Sequence, residues 1–148
     1  MFDLTGMTAL VTGASGGIGS AIARGLAAQG ARLALSGSNA AKLERFRDEL
    51  GGEHVALACD LSDPAAVDAL VPRAVEALGK LDVLVNNAGV TRDNLAMRMK
   101  DDEWDQVIRV NLEAAFRLIR AAAKPMMKAR FGRVVSITSV VGQTGNPG

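Results

Sequence analysis

The residues best placed to do chemistry lie in one stretch, "VTGASGGIGSAIA", where Gly13, Gly17 and Gly19 make the pattern T-G-x-x-x-G-x-G. A Cβ in such a turn would block a tight strand-to-helix reversal. It would also keep an anion away from the backbone N–H groups at the helix N-terminus. The chemistry implied is the cradling of a pyrophosphate. A nucleoside-triphosphate loop is disfavoured, because Ser20 and Ala21 rather than a lysine follow the last glycine. Context supports a dinucleotide: an apolar run precedes the turn, and an amphipathic helix with Ile18, Ile22 and Leu26 on its apolar face follows it. A glycine turn with no ligand is the alternative reading.

The end of the second apolar run should choose between cofactors. An acidic residue there would bind the ribose hydroxyls of NAD and repel the 2′-phosphate of NADP. This chain has Ser36, Gly37, Ser38 and Asn39 instead, so NADP (as NADPH) is expected over NAD. No arginine stands at this strand end or in the glycine turn, where Gly16 occupies a plausible place for one. Other reactive groups are sparse. The single Cys59, in "HVALACD", cannot form an intramolecular disulfide and reads as a buried strand residue. With only His54 beside it, no metal site is expected. Asn111 shares a helical register with Trp104, Ile108, Ala115 and Leu118, an otherwise apolar stripe. An amide buried there must find partners, which points to a water-binding or relay role.

The elements that must position these residues follow from the apolar pattern. Runs at 7–13, 31–37, 54–60, 81–87 and 132–139 read as strands, apolar on both sides as in a parallel sheet covered on both faces. Between them lie helical stretches. Val67, Leu70, Val71, Ala74, Val75 and Leu78 recur at helical spacing, with Asp63 as N-cap, Pro64 at the first helical position and Gly79 just past the end. Gly30, Gly51 and Gly132 are placed to end the other helices, and Pro125 is predicted to bend or break the segment 101–130. Strand-helix alternation with right-handed crossovers gives an α/β Rossmann-type, doubly wound parallel sheet with helices on both faces, one domain over 1–148.

A formal net charge of +1 gives no sign of nucleic acid or an anionic membrane as partner. No stretch reads as a targeting or spanning segment, so a cytoplasmic location is expected.

Together with the glycine turn, "NNAG" at 86–89, Val110 and Asn111, and "SITS" ending at Ser139, the chain resembles the short-chain dehydrogenases/reductases over essentially its whole length. More narrowly, "NNAGVTRDNLAMRMKDDEWDQVIRVNL" and "GRVVSITSVVG" resemble the 3-oxoacyl-[acyl-carrier-protein] reductases of type II fatty-acid synthesis. The resemblance implies that Gly13, Ser15, Gly16, Gly17, Ile18 and Gly19 bind the pyrophosphate, and that Ser38 lies near the adenosine phosphate. It implies that Asp60 and Leu61 hold the adenine and that Asn87, Ala88 and Gly89 lie beside the cofactor ribose. It assigns Asn111 to a proton relay, Ser139 to the substrate carbonyl, and Arg130 to docking of the acidic acyl-carrier protein. Each has a structural rival: Asp60 as a turn cap, Ser139 as an ordinary strand-end residue, Arg130 as a solvated helix end.

In that family a Y-x-x-x-K motif follows the serine, the tyrosine giving a proton to the substrate carbonyl as the nicotinamide gives a hydride. These 148 residues contain no tyrosine, and no lysine follows Lys128. The expectation is therefore the N-terminal part of a longer reductase, with the C-terminal part of the fold missing, the strand at 132–139 exposed along one edge, and a homo-oligomer when complete. The alternatives are a dinucleotide-binding fragment without catalysis, or a reductase of another carbonyl substrate.

Overall fold

The structure, a computed structural model, describes residues 2–145; Met1 and the end of the expected terminal loop, 146–148, lie outside them. Five strands form one parallel sheet in the order β3-β2-β1-β4-β5: β1 Thr8–Thr12, β2 Arg32–Gly37, β3 Val55–Ala58, β4 Val83–Asn86 and β5 Arg133–Ser136. The chain winds outward from β1 to β3, then crosses back to β4. That reversal leaves a crevice at the carboxyl ends of β1 and β4.

Alternating side chains of the central strand feed two cores. Leu10 packs with Val67, Leu70, Val71, Ala74 and Leu78 of α3 (Pro64–Leu78), and with Ala114, Leu118, Ala122 and Met126 of α5 (Ala114–Ala129). Ala9 and Val11 pack on the other face with Ala23 of α1 (Gly17–Ala28) and with Leu43 and Phe46 of α2 (Ala40–Leu50). The expected fold is therefore observed, with helices on both faces. Helix α3 starts and stops where its sequence indicates: the Asp63 carboxylate accepts from Ala65 N, and Gly79 closes the helix in a left-handed conformation.

The amino ends of β1 and β4 are pinned by Asp82, which is 5% exposed. Its carboxylate accepts from Thr8 N at 2.9 Å, Thr8 Oγ1 at 3.2 Å and Lys80 Nζ at 2.8 Å. Burial pushes this carboxyl up, but the bonds from Lys80 and Thr8 outweigh it and hold it below the usual range. With the bottom of the strand pair fixed, the crevice at the top has a rigid frame.

The segment 101–130 departs from expectation. Pro125 does not break it; α5 runs through, held by the buried Ala122 and Met126 on either side of the proline. The interruption falls earlier, where Arg109–Glu113 adopts π-helical geometry between α4 (Asp101–Ile108) and α5. Nor does Gly132 close α5. Arg130 takes the left-handed conformation, φ 52°. Gly132 is needed for a close approach instead, since a Cβ there would stand 2.5 Å from Met126 Sδ. The expected loop after residue 139 contains one helical turn, α6 Val141–Thr144. Strand β5 is not covered on both faces: all four of its residues are exposed, and among the described residues only β4 pairs with it. No helix among the described residues is long and apolar enough to cross a membrane.

Candidate functional site

A cleft of about 910 Å³ opens at the carboxyl ends of β1, β2, β3 and β4. It gathers every residue expected at a dinucleotide: Gly13, Ser15 to Gly19, Ser38, Asp60, Leu61 and Asn87 to Gly89. These come from four separate stretches of sequence, so their convergence is a property of the strand order and not of any one motif.

The glycine turn is held from the neighbouring strand. Asn87 Nδ2 donates to Thr12 O at 2.9 Å and to Gly13 O at 3.4 Å. In return the Thr12 hydroxyl accepts from the backbone N–H groups of Asn87 and Ala88 at 3.0 and 3.1 Å, and donates to Val85 O at 3.3 Å. The glycines divide by what surrounds them. Gly13 has φ +62°, and a Cβ there would lie 2.9 Å from Ala88 Cα. A Cβ on Gly19 would penetrate the Gly13 carbonyl oxygen and stand 2.6 Å from Asn87 Nδ2. Gly17 is different: it lines the cleft, yet no atom lies within 4 Å of where its Cβ would be. Protein packing explains Gly13 and Gly19, whereas no protein atom requires a glycine at 17, a residue of the cleft lining. A pyrophosphate fits this arrangement, since the turn opens the N-terminus of α1, whose N-cap is Gly16 and whose first turn carries no acidic residue.

Ile18, expected on the apolar face of α1, is 64% exposed at the cleft, while Ile22 and Leu26 do pack on the core. Its place one residue into α1 turns it from the sheet. Asp60 accepts from Ser62 N at 2.8 Å and Ser62 Oγ at 2.7 Å, which holds its carboxyl below the usual range. It thus closes the turn after β3 while remaining in the cleft wall, so the capping and cleft roles coexist. Cys59 is buried, as expected, but stands one residue past the end of β3, at the same wall, and burial pushes its thiol up.

Asn111 is not the buried amide of an apolar stripe. It is exposed, and Trp104 of that stripe is 58% exposed. Asn111 lies in the π-helical turn, where its side chain meets the loop after β4: Val90 N donates to Oδ1 and Nδ2 donates to Val90 O, each at 2.8 Å. Both ends of the amide are thus held by the backbone of Val90, which itself lines the cleft. Ser139 lies beyond β5, exposed, its Oγ accepting from Val141 N at 3.3 Å. Arg130 is exposed at the end of α5. None of these three lines the cleft.

The cleft also contains residues that sequence reasoning passed over. Thr12, the first letter of the glycine motif, turns out to be its main tether. Lys42 lines the cleft from the third position of α2, and is the one cation among its described lining residues. It stands in the first turn of α2, just past the end of β2, which itself carries no arginine. Ser62, Val90, Gln106 and Val110 complete the rim.

The sequence profile of the short chain dehydrogenases matches residues 7–148. Nodulation protein G from a Rhizobium species is 55% identical over 148 residues, all of this chain and 60% of that protein. The 3-oxoacyl-[acyl-carrier-protein] reductase FabG of Escherichia coli is 47% identical over 146 residues, 99% of this chain and 60% of its own length. The chain thus spans about three fifths of the curated relatives it matches. Among solved structures, one described as a candidate short-chain alcohol dehydrogenase from Sinorhizobium meliloti superposes with a TM-score of 0.93 at 39% identity, covering 99% of this chain and 59% of that one.

Proposed function

Since this chain belongs to the short-chain dehydrogenase family, we propose that it supplies the NADPH-binding part of a reductase that converts 3-oxoacyl-[acyl-carrier-protein] to the 3-hydroxyacyl form. One observation carries the reading: every residue expected at the dinucleotide lines a single cleft at the point where strand order reverses. Likeness to FabG proteins at 47–49% identity supports the choice of substrate, and so do the sequence stretches around "NNAGVTRDN" and "SITS".

In this reading the glycine turn and the N-terminus of α1 hold the pyrophosphate, Asp60 and Leu61 border the adenine, and Asn87 to Gly89 border the ribose. NADPH, when bound, supplies a hydride to the substrate carbonyl. Ser139 orients that carbonyl by a hydrogen bond, and Asn111 fixes the Val90 loop at the cleft rim. The reaction also needs a proton at the carbonyl oxygen. With no tyrosine in these residues, the reading requires a donor from outside them. Arg130, cationic and exposed, would meet the acidic carrier protein. A cytoplasmic homo-oligomer is the form we expect.

A second reading of these residues, which contain no tyrosine, is a dinucleotide-binding module without catalysis. Two measurements on one sample separate them: NADPH affinity, and NADPH oxidation on adding 3-oxoacyl carrier protein. Saturable binding with substrate-dependent oxidation supports the reductase. Binding without oxidation supports the module, and absence of binding refutes both.

A further inference from the structure

We propose that Lys42 is the residue that selects NADPH over NADH, its ammonium pairing with the 2′-phosphate at the end of β2. This rests on the dinucleotide reading above and adds a residue to it. The end of β2 offers the anion neutral donors and no competing acid: Ser36, Gly37, Ser38 and Asn39 all line the cleft there. Ser36 lines the cleft at this strand end, and its hydroxyl makes no hydrogen bond to another described residue, which leaves it free to donate to a ligand oxygen.

Helix α2 begins at the same place. The Asn39 side chain takes the N–H of Lys42 at 2.9 Å, and the first backbone helical bond runs from Leu43 N to Asn39 O. The N–H groups of Ala40 and Ala41 therefore have no helical partner, and no acidic residue sits in the first turn to neutralise them. Lys42 is exposed and forms no ion pair among the described residues, while the nearby Glu44 and Asp48 are both taken by Arg47. Position 16, in the glycine turn, carries no charge. A long, flexible lysine one turn into α2 thus provides the only described positive charge on the cleft wall. The one carboxylate there, Asp60, follows β3 and is bound to Ser62.

The test is to titrate the full chain and its Lys42→Ala and Lys42→Arg variants with NADPH and with NADH, reading Kd by calorimetry. Lys42 is exposed, so neither substitution threatens the fold. Loss of one charge-assisted contact should raise the Kd of Lys42→Ala for NADPH roughly ten- to a hundredfold and leave that for NADH within about twofold. Lys42→Arg should retain the preference. Added salt should weaken NADPH more than NADH in the natural chain, and both alike in Lys42→Ala. If the natural chain binds NADPH and Lys42→Ala binds it equally well, the assignment of Lys42 is overturned while the dinucleotide reading stands. Equal affinity of the natural chain for both cofactors also overturns it. Binding of neither refutes the dinucleotide reading itself.

Discussion

An alanine at position 19 would drive its methyl carbon into the Gly13 carbonyl oxygen and to within 2.6 Å of Asn87 Nδ2. Both neighbours are fixed. The Gly13 carbonyl accepts from Gly16 N at 3.0 Å, and Asn87 holds Thr12 O at 2.9 Å, so relief requires shifting backbone rather than turning a side chain. Overpacking of this kind costs about 1–3 kcal/mol, and the loss of one clamp hydrogen bond adds about 1 kcal/mol. The sum, about 2–4 kcal/mol, should lower Tm by roughly 5–15 °C for a chain of this size. Alanine at position 17 meets nothing within 4 Å and needs no unusual φ, so stability should hold or rise by up to about 1 kcal/mol and Tm should not fall. Its methyl group would instead add bulk to the cleft lining where the pyrophosphate is proposed. NADPH Kd should then rise about tenfold or more. Thermal melts and calorimetric titrations of the two variants check both halves. Unchanged NADPH affinity in Gly17→Ala, or an unchanged Tm in Gly19→Ala, would refute the division of the glycines into one kept for a ligand and one kept for packing.

Asp82→Ala should destabilise the chain by about 2–4 kcal/mol in urea melts, because the buried Thr8 N–H loses its carboxylate partner. Since the folded Asp82 carboxyl titrates below its ordinary 3.8, its contribution is complete above that pH and fades as pH falls through the folded value. The gap between natural and variant midpoints should therefore close under acid, and a gap independent of pH would count against the clamp. Asn111→Leu removes both bonds to Val90, so it should loosen the loop after β4. Faster amide exchange at Val90 than in the natural chain is the expected result, and unchanged exchange would argue against a positioning role. Arg130→Gly relieves a left-handed non-glycine residue and should stabilise by about 0.5–1 kcal/mol. If Arg130 also docks the carrier protein, the same variant should raise KM for carrier-bound substrate more than for a small thioester.

The parts of this fold that were legible in sequence are those whose causes are local. Asp63, Pro64 and Gly79 delimit α3 by capping chemistry that acts within one turn, and the apolar runs mark strands because both faces of the sheet centre are covered. The glycine motif was legible as a turn, but its division of labour was not. Gly19 answers first to the Gly13 carbonyl within its own motif and then to Asn87, far along the chain, and no spacing rule reveals the second contact. Gly132 answers to packing rather than to a helix end: its smallness serves Met126, and the left-handed position falls to Arg130. Helical periodicity over 101–130 gave no hint of the π-helical turn, whose Asn111 is tied to Val90 on another element.

The two halves of the proposed site differ physically. Around the dinucleotide, the fixed parts are backbone groups and short side chains bonded across β1 and β4, with Asp82 locking the opposite end of the same strand pair. That half is preorganised by the sheet itself. Ser139 and Arg130 lie instead on exposed segments around β5, where β4 is the only strand pairing with it among the described residues and Val134, Val135 and Ile137 are exposed. A hydrogen bond from Ser139 to a carbonyl demands positioning that such a segment does not supply by its own contacts. Cofactor affinity should thus be a property of the described sheet. Turnover should depend on whatever covers β5, and the two should respond separately to mutation: Gly17→Ala should weaken binding, and Ser139→Ala should slow turnover with NADPH Kd unchanged.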